Sequence, residues 1–246
     1  FDENIYRDLP GFSVLNNPSS RKARSILSKI GYLKNSGALK KQLAHYRPDI
    51  LHAHYASSYG LLGSKTKFHP FVISVWGSDV YDFPKKSPLH KNLFERVLSK
   101  ADVICSTSYC MKDETLKYVS KEIGVVPFGI DTTLFTPQGN GFDRKTEITI
   151  GIIKSLEKKY GIEYLIKAFH EVLKNNSGKD LRLLVVGDGS GRNEYKKLCT
   201  DLGISDKVTF TGKVAHSEII KYHHQIDIFV SLSVLDSESF GVSLVE

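Results

Sequence analysis

Glu238 and Glu246 are separated by seven residues and flank Phe240-Gly241. A helix beginning near Phe240 would carry Glu246 almost two turns inside it and leave Glu238 just before it. The N–H groups between them and the helix dipole attract an anion. A phosphate between two carboxylates that accept from hydroxyls on either side is what a nucleotide-sugar presents. A capping acid beside an unrelated surface glutamate is the plainer reading of the same spacing. A second group is Lys154-Ser155-Leu156-Glu157-Lys158-Lys159-Tyr160-Gly161, directly after the apolar run Ile148–Ile153. Lysines on a loop leaving the C-terminal end of a parallel strand face the ligand crevice of such sheets. There Lys154 and Lys159 would neutralise a diphosphate leaving group. A solvated loop is the alternative.

A third group, Gly187-Asp188-Gly189-Ser190-Gly191, follows Leu183-Leu184-Val185-Val186. Glycines between strand and helix let backbone N–H groups approach a phosphate, or simply make a tight turn at no steric cost. A dinucleotide fingerprint needs its third glycine one residue later and an acid after the next strand, so NAD is disfavoured. The fourth group is Trp76-Gly77-Ser78-Asp79, after the run Phe71–Val75. Gly77 permits close backbone approach, and Asp79 would cap the next segment or bind a ligand hydroxyl. His52 and His54 alternate on one strand, and His223-His224 lie on a later helix. Two such pairs without adjacent acids or cysteines argue against zinc. They read as mostly structural, with His54 the one bordering a ligand cleft.

These groups need a framework, and the composition supplies it. The chain has 246 residues, 41% of them apolar and 25% charged, as in a globular protein with a real core. No run reaches the ~20 apolar residues of a membrane-spanning helix. The 3 cysteines, Cys105, Cys110 and Cys199, have no metal-binding spacing, which suits a reducing compartment and excludes a disulfide scaffold. A cytoplasmic location is expected. The net charge is +7, and residues 1–140 carry all of it, with 19 basic against 12 acidic groups. Arg21, Lys22, Arg24, Lys29, Lys34, Lys40, Lys41 and Arg47 meet no acid between Asp8 and Asp49. Such a stretch suits nucleic acid, anionic lipid or a phosphorylated ligand.

Apolar runs alternate with helical patterns. Strands are expected at 49–54, 71–75, 102–106 and 123–126, with helices at 89–99 and 109–120. Their apolar character on both faces suits a parallel sheet covered on each side. From Pro127 to Thr146, prolines and glycines stop the pattern, which reads as a linker. The alternation then restarts with strands at 148–153, 181–186, 208–210 and 226–231 and helices at 163–174, 193–202 and 216–224. Two doubly wound α/β units follow, 1–137 and 138–246. The absent initiator Met and the helix pattern cut at Glu246 suggest a sequence truncated at both ends.

The string Ser231 to Glu246 resembles the E-x7-E region of retaining glycosyltransferases of family 4. Pro48-Asp49-Ile50-Leu51-His52-Ala53-His54-Tyr55 is similar to the family's second-strand region. Val126 to Asp131 with Phe135-Thr136-Pro137 is similar to its inter-domain connection, and Gly161 to Phe169 to the first helix of its donor domain. The likeness runs from about Pro48 to the end, and the motifs in this order are specific. It implies a GT-B fold, two Rossmann-like parallel-sheet domains facing across a cleft, with 1–137 on the acceptor side and 138–246 binding the donor.

The resemblance further implies that Glu238 lies near the donor sugar and Glu246 holds the ribose hydroxyls. Phe240 and Gly241 offer backbone N–H groups, and Gly189 lines the donor side. Lys154 stands near the family's usual arginine, and Lys159 or Lys158 near its lysine. Trp76 stands where many members carry a histidine; Gly77, Asp79 and His54 accompany it on the acceptor side. The expected reaction moves a sugar from a nucleoside diphosphate to a glycan or lipid-linked acceptor, with retention. No D-x-D pair is present, so no metal or other cofactor is expected. The alternatives are a GT-B nucleotide-sugar epimerase and a non-catalytic nucleotide-sugar-binding module. Nucleic acid is disfavoured because no recognition motif accompanies the charge. Residues 21–46 combine that charge with Ile26, Leu27, Ile30 and Leu33, one face of a helix broken near Gly37. The helix either packs its apolar stripe on the N-terminal sheet or rests peripherally on the anionic inner face of the membrane.

Overall fold

The computed structural model describes residues 35–137, 147–176, 178–238 and 240–246. Most of the basic stretch expected at 21–46 precedes residue 35 and lies outside them. Its described end is helix α1 (Ser36–Tyr46), which runs through Gly37 instead of breaking there. A glycine in the first turn costs little, because the N–H groups of that turn have no intrahelical partner.

The chain forms two compact units, 1–126 and 127–246. In the first, β1 (Leu51–His54), β2 (Phe71–Ser74), β3 (Val103–Ser106) and β4 (Ile123–Val125) form a parallel sheet in that order. A wide π-helical turn over Tyr55–Gly60 and α2 (Leu61–Ser64) follow β1, and α3 (Ser78–Tyr81) follows β2. Helix α4 (Pro88–Ser99) starts at a proline behind Ser87, whose hydroxyl accepts from the His90 N–H. It buries Phe94, Val97 and Leu98, the i, i+3, i+4 face of its pattern. Ser108 caps α5 (Tyr109–Leu116) in the same way through the Met111 N–H. Phe71, Ile73, Ile104 and Ile123 join these helices in one core.

The second unit has sheet order β7-β6-β5-β8, again all parallel. Its strands are β5 (Glu147–Ile153), β6 (Asp180–Val186), β7 (Val208–Gly212) and β8 (Ile228–Phe229). Alternate residues face opposite ways: Ile152, Leu183 and Val185 enter one core, Ile153, Leu184 and Val186 the other. Helix α6 (Ile162–Asn175) covers the first with Ile162, Leu165, Ile166 and Phe169, and α7 (Arg192–Asp201) adds Tyr195 and Cys199. The helix expected over 216–224 divides into a 3₁₀ turn, His216–Glu218, and α8 (Ile219–His223). β8 covers only Ile228–Phe229 of the run expected at 226–231, and pairs with β5 over those two residues. The chain ends in a single turn, α9 (Val242–Val245). No helix among the described residues is long and apolar enough to cross a membrane.

Candidate functional site

In the second unit the site is built where strands end. β5 and β6 finish in register, Ile153 opposite Val186, so the loops after them emerge side by side. The Lys154 N–H donates to the Val186 carbonyl (3.0 Å), the Leu156 N–H to Asp188 (3.0 Å) and the Gly191 N–H to Leu156 (2.8 Å). The glycines make this possible. A Cβ on Gly187, at φ +132°, would lie 2.1 Å from the Lys154 carbonyl oxygen, and one on Gly189 within 2.8 Å of the Leu156 backbone. Glu157 adds a clamp, accepting from the Ser190 N–H (3.0 Å) and hydroxyl (2.7 Å). The glycine pattern is thus explained by loop-on-loop packing. The Gly189 N–H donates to the Asp188 carboxylate at 2.8 Å.

The segment after β8 closes against the other side of the same loop. The Val234 N–H donates to the Lys159 carbonyl (2.9 Å), and Gly161, at φ +70°, faces the Leu232 backbone. This brings Glu238 onto Lys154. Their ion pair has side chains only 12% and 24% exposed for the lysine and the glutamate. The ammonium groups of Lys154 and Lys159 lie over one ring, that of Tyr160, at 5.1 and 4.6 Å. Lys158 points elsewhere, 3.6 Å from Glu194 on α7.

Glu246 does not share that place. It ends the single turn α9, where almost two turns had been expected, because Gly241 at φ +74° delays the helix to Val242. Its carboxylate, 6% exposed, meets His216 at 3.1 Å and His223 at 3.7 Å. The expectation that His223 lacks a nearby acid is therefore corrected: Glu246 reaches it from 23 residues away in sequence. Burial lowers the His223 pKa, with the Glu246 carboxylate pulling the other way. His223 also stacks on Phe229, and Phe135 packs edge-on against it. Phe240 packs edge-on against Phe128. Among the described residues no group of three His, Cys, Asp or Glu is arranged to hold a metal ion.

In the first unit, β1 and β2 also end in register, His54 opposite Ser74, which sets Trp76 beside His54. The Trp76 indole N–H donates to His54 Nδ1 at 3.0 Å, and His52 accompanies them at 4.3 Å from the His54 ring. Asp79 is fully buried. Its carboxylate accepts from the N–H groups of Ala56 (2.8 Å), Trp76 (3.0 Å) and Gly77 (3.0 Å). Asp79 was expected to cap the next segment or bind a ligand hydroxyl; α3 has no side-chain cap, and these three donors to Asp79 all precede it in sequence. Asp79 ties the turn after β1 to the turn after β2, while Gly77 at φ +131° makes the bend. Burial raises the Asp79 pKa against the pull of these donors.

Burial, and then the neighbouring His52, lower the His54 pKa below its ordinary 6.5. Only the neutral imidazole can accept from the indole. The unfolded chain therefore binds this proton first, and the contribution of His54 to stability is full above pH 6.5 and lost as pH falls through its folded pKa. The chain has 1 Trp, so its fluorescence reports the pair directly. The emission of Trp76 is expected to titrate with a midpoint below 6.5, and the step is expected to vanish in His54→Gln. A midpoint above 6.5, or an unchanged step in the variant, would contradict this linkage.

The roles of Tyr160, Glu157 and His216 were missed from sequence. An aromatic between lysines and a glycine was visible at Tyr160, but nothing local marked Glu157 or His216.

Comparison with known proteins bears on these features. Residues 8–108 match a family model described as glycosyl transferase 4-like, and residues 138–246 one described as glycosyl transferases group 1. The alpha-monoglucosyldiacylglycerol synthase of Streptococcus pneumoniae is 27% identical over 82% of this chain and 50% of its own length. Sucrose-phosphate synthase from Thermosynechococcus elongatus superposes with TM-score 0.73 at 19% identity, over 92% of this chain and 60% of that one. HepE of Anabaena, solved in complex with UDP, gives TM-score 0.63 at 16% identity over 81% and 57%. The chain spans about half the length of the curated relatives it matches.

Proposed function

From the premise that this chain belongs to the group 1 glycosyltransferases of family 4, with the GT-B fold, we propose that its protein transfers a sugar from a nucleoside diphosphate to a glycan or lipid-linked acceptor. The observation that carries this reading is the Lys154–Glu238 pair, with Lys159 beside it, at the strand ends of the second sheet. The Streptococcus relative is named for a glucosyl lipid, and the Anabaena protein was captured with UDP, which supports the acceptor and donor classes.

In this reading the reaction retains configuration. The C1–oxygen bond to the diphosphate breaks, and the acceptor oxygen attacks C1 from the face that the phosphate leaves. The acceptor proton passes to the departing phosphate oxygen. Lys154 and Lys159 stabilise the charge that develops there, the kind of term that dominates when donors are preorganised, and no metal is assigned a role. Phosphate oxygens would compete with Glu238 for Lys154. The released carboxylate would then accept from a hydroxyl of the donor sugar. Glu246 would hold the ribose, shared with His216 and His223, and the N–H groups of Phe240 and Gly241 would serve the sugar or distal phosphate. Residues 21–46 would keep the protein beside a lipid-linked acceptor, each Lys or Arg near anionic lipid contributing about 1 kcal/mol.

The test is incubation with nucleoside diphosphate sugars, with and without acceptor lipid in anionic or neutral vesicles. Transfer that needs acceptor is the expected result, faster on anionic vesicles and slowed by salt. A new nucleotide-sugar formed without acceptor would point to the epimerase. Donor binding with neither transfer nor hydrolysis would leave a binding module.

A further inference from the structure

We propose that Tyr160 is a positioning residue for the donor diphosphate, its ring holding the ammonium groups of both Lys154 and Lys159. This rests on the glycosyltransferase reading above and adds a residue to its site. Two lysines on flexible four-carbon stems repel one another and would spread apart in water. Here both Nζ atoms lie over the same ring, at 5.1 and 4.6 Å from its centroid. The negative face of an aromatic ring attracts each cation and so opposes their mutual repulsion.

The ring is itself held. Tyr160 packs against the core beneath α6, and its N–H donates to the Glu157 carbonyl at 3.0 Å. Glu157 is clamped by Ser190, and the Lys159 carbonyl accepts from Val234. Gly161, next in sequence, lies too close to Leu232 for any side chain, so the turn that carries Tyr160 packs directly on the segment after β8. Glu238 draws Lys154 from one side and Tyr160 steadies it from another. When a diphosphate displaces the Glu238 carboxylate, the ring keeps both charges where the anion arrives. Preorganised charge costs no reorganisation when the leaving group departs.

The experiment is calorimetric titration of the full chain and its Tyr160→Leu and Tyr160→Phe variants. The probes are UDP, GDP and ADP, with the corresponding nucleosides as uncharged controls. Loss of two cation–π contacts is expected to weaken the nucleoside diphosphate that binds by about five- to thirtyfold in Tyr160→Leu. Its nucleoside should bind Tyr160→Leu as it binds the native protein, which also shows that the variant folds. Tyr160→Phe keeps the ring and should stay within about twofold of the native value. Unchanged diphosphate affinity in Tyr160→Leu would overturn the proposal while leaving the glycosyltransferase reading intact. A parallel loss of nucleoside and diphosphate would overturn it too, by showing a general packing role. If the native chain binds none of the three diphosphates, the donor reading fails and the proposal falls with it.

Discussion

Replacing Lys154 by alanine is expected to lower kcat/KM for the proposed glycosyl transfer by about a hundredfold or more, the usual loss when one preorganised donor to a developing anion is removed. Two effects act together. The ammonium that would meet the leaving diphosphate is gone. Glu238, only 24% exposed, then stands as a carboxylate without its cation where a polyanion must bind. The double variant Lys154→Ala/Glu238→Gln, compared with Glu238→Gln alone, separates them. If Lys154 served only to neutralise Glu238, the double variant would be as active as Glu238→Gln. If it acts on the diphosphate, the double variant is expected to be slower than Glu238→Gln by about the same hundredfold. Activity of Lys154→Ala within a few-fold of native would remove Lys154 from the catalytic role assigned to it.

Gly187→Ala is expected to destabilise the second unit by about 3 kcal/mol or more, the range of substitutions that force a backbone to move. At φ +132° an L side chain is already strained, and the new Cβ would lie 2.1 Å from the Lys154 carbonyl oxygen. That oxygen belongs to backbone, pinned by the Lys154 N–H to Val186 bond at the ends of β5 and β6. It has nowhere to go without unpairing the two strands. For a domain of this size the melting temperature should fall by roughly 10 °C or more. Gly203→Ala is the control, because Gly203 has φ +69° but nothing within 4 Å of its Cβ. That substitution carries only the left-handed backbone penalty, about 1–2 kcal/mol. Equal shifts in the two variants would show that backbone conformation, not packing against Lys154, is what Gly187 provides.

The contrast between these glycines shows how far the sequence could be read. Gly187, Gly189 and Gly191 stood out by spacing after an apolar run, yet phosphate approach and a tight turn both fitted. Local pattern records that a glycine is needed and not what comes near it. The strands and helices around them were legible because each rests on short-range periodicity. Ile162, Leu165, Ile166 and Phe169 repeat on one helical face, and the alternation of β5 and β6 between two cores follows from runs apolar on both sides. The parallel sheets followed in turn, since helices alternating with such runs leave little else to build.

Glu238, Lys154 and Lys159 were singled out as candidates from their types and places, and by likeness to a family. Their pairing was not. Lys154 and Glu238 are 84 residues apart and meet because β8 lies beside β5 in the sheet order. Glu246, expected on the ribose side of the donor, also meets His216 and His223, a contact across 30 and 23 residues that no local pattern marks. Asp79 was read as a helix cap or a ligand contact, and its burial with three backbone donors ahead of α3 shows a tie between two turns that local sequence could not reveal. By itself the sequence determined which segments form strands and helices, the parallel α/β class and the residue types able to meet a diphosphate. The tertiary structure decided which of those residues touch, because a contact between loops depends on sheet order and register, and these are set by the packing of whole elements.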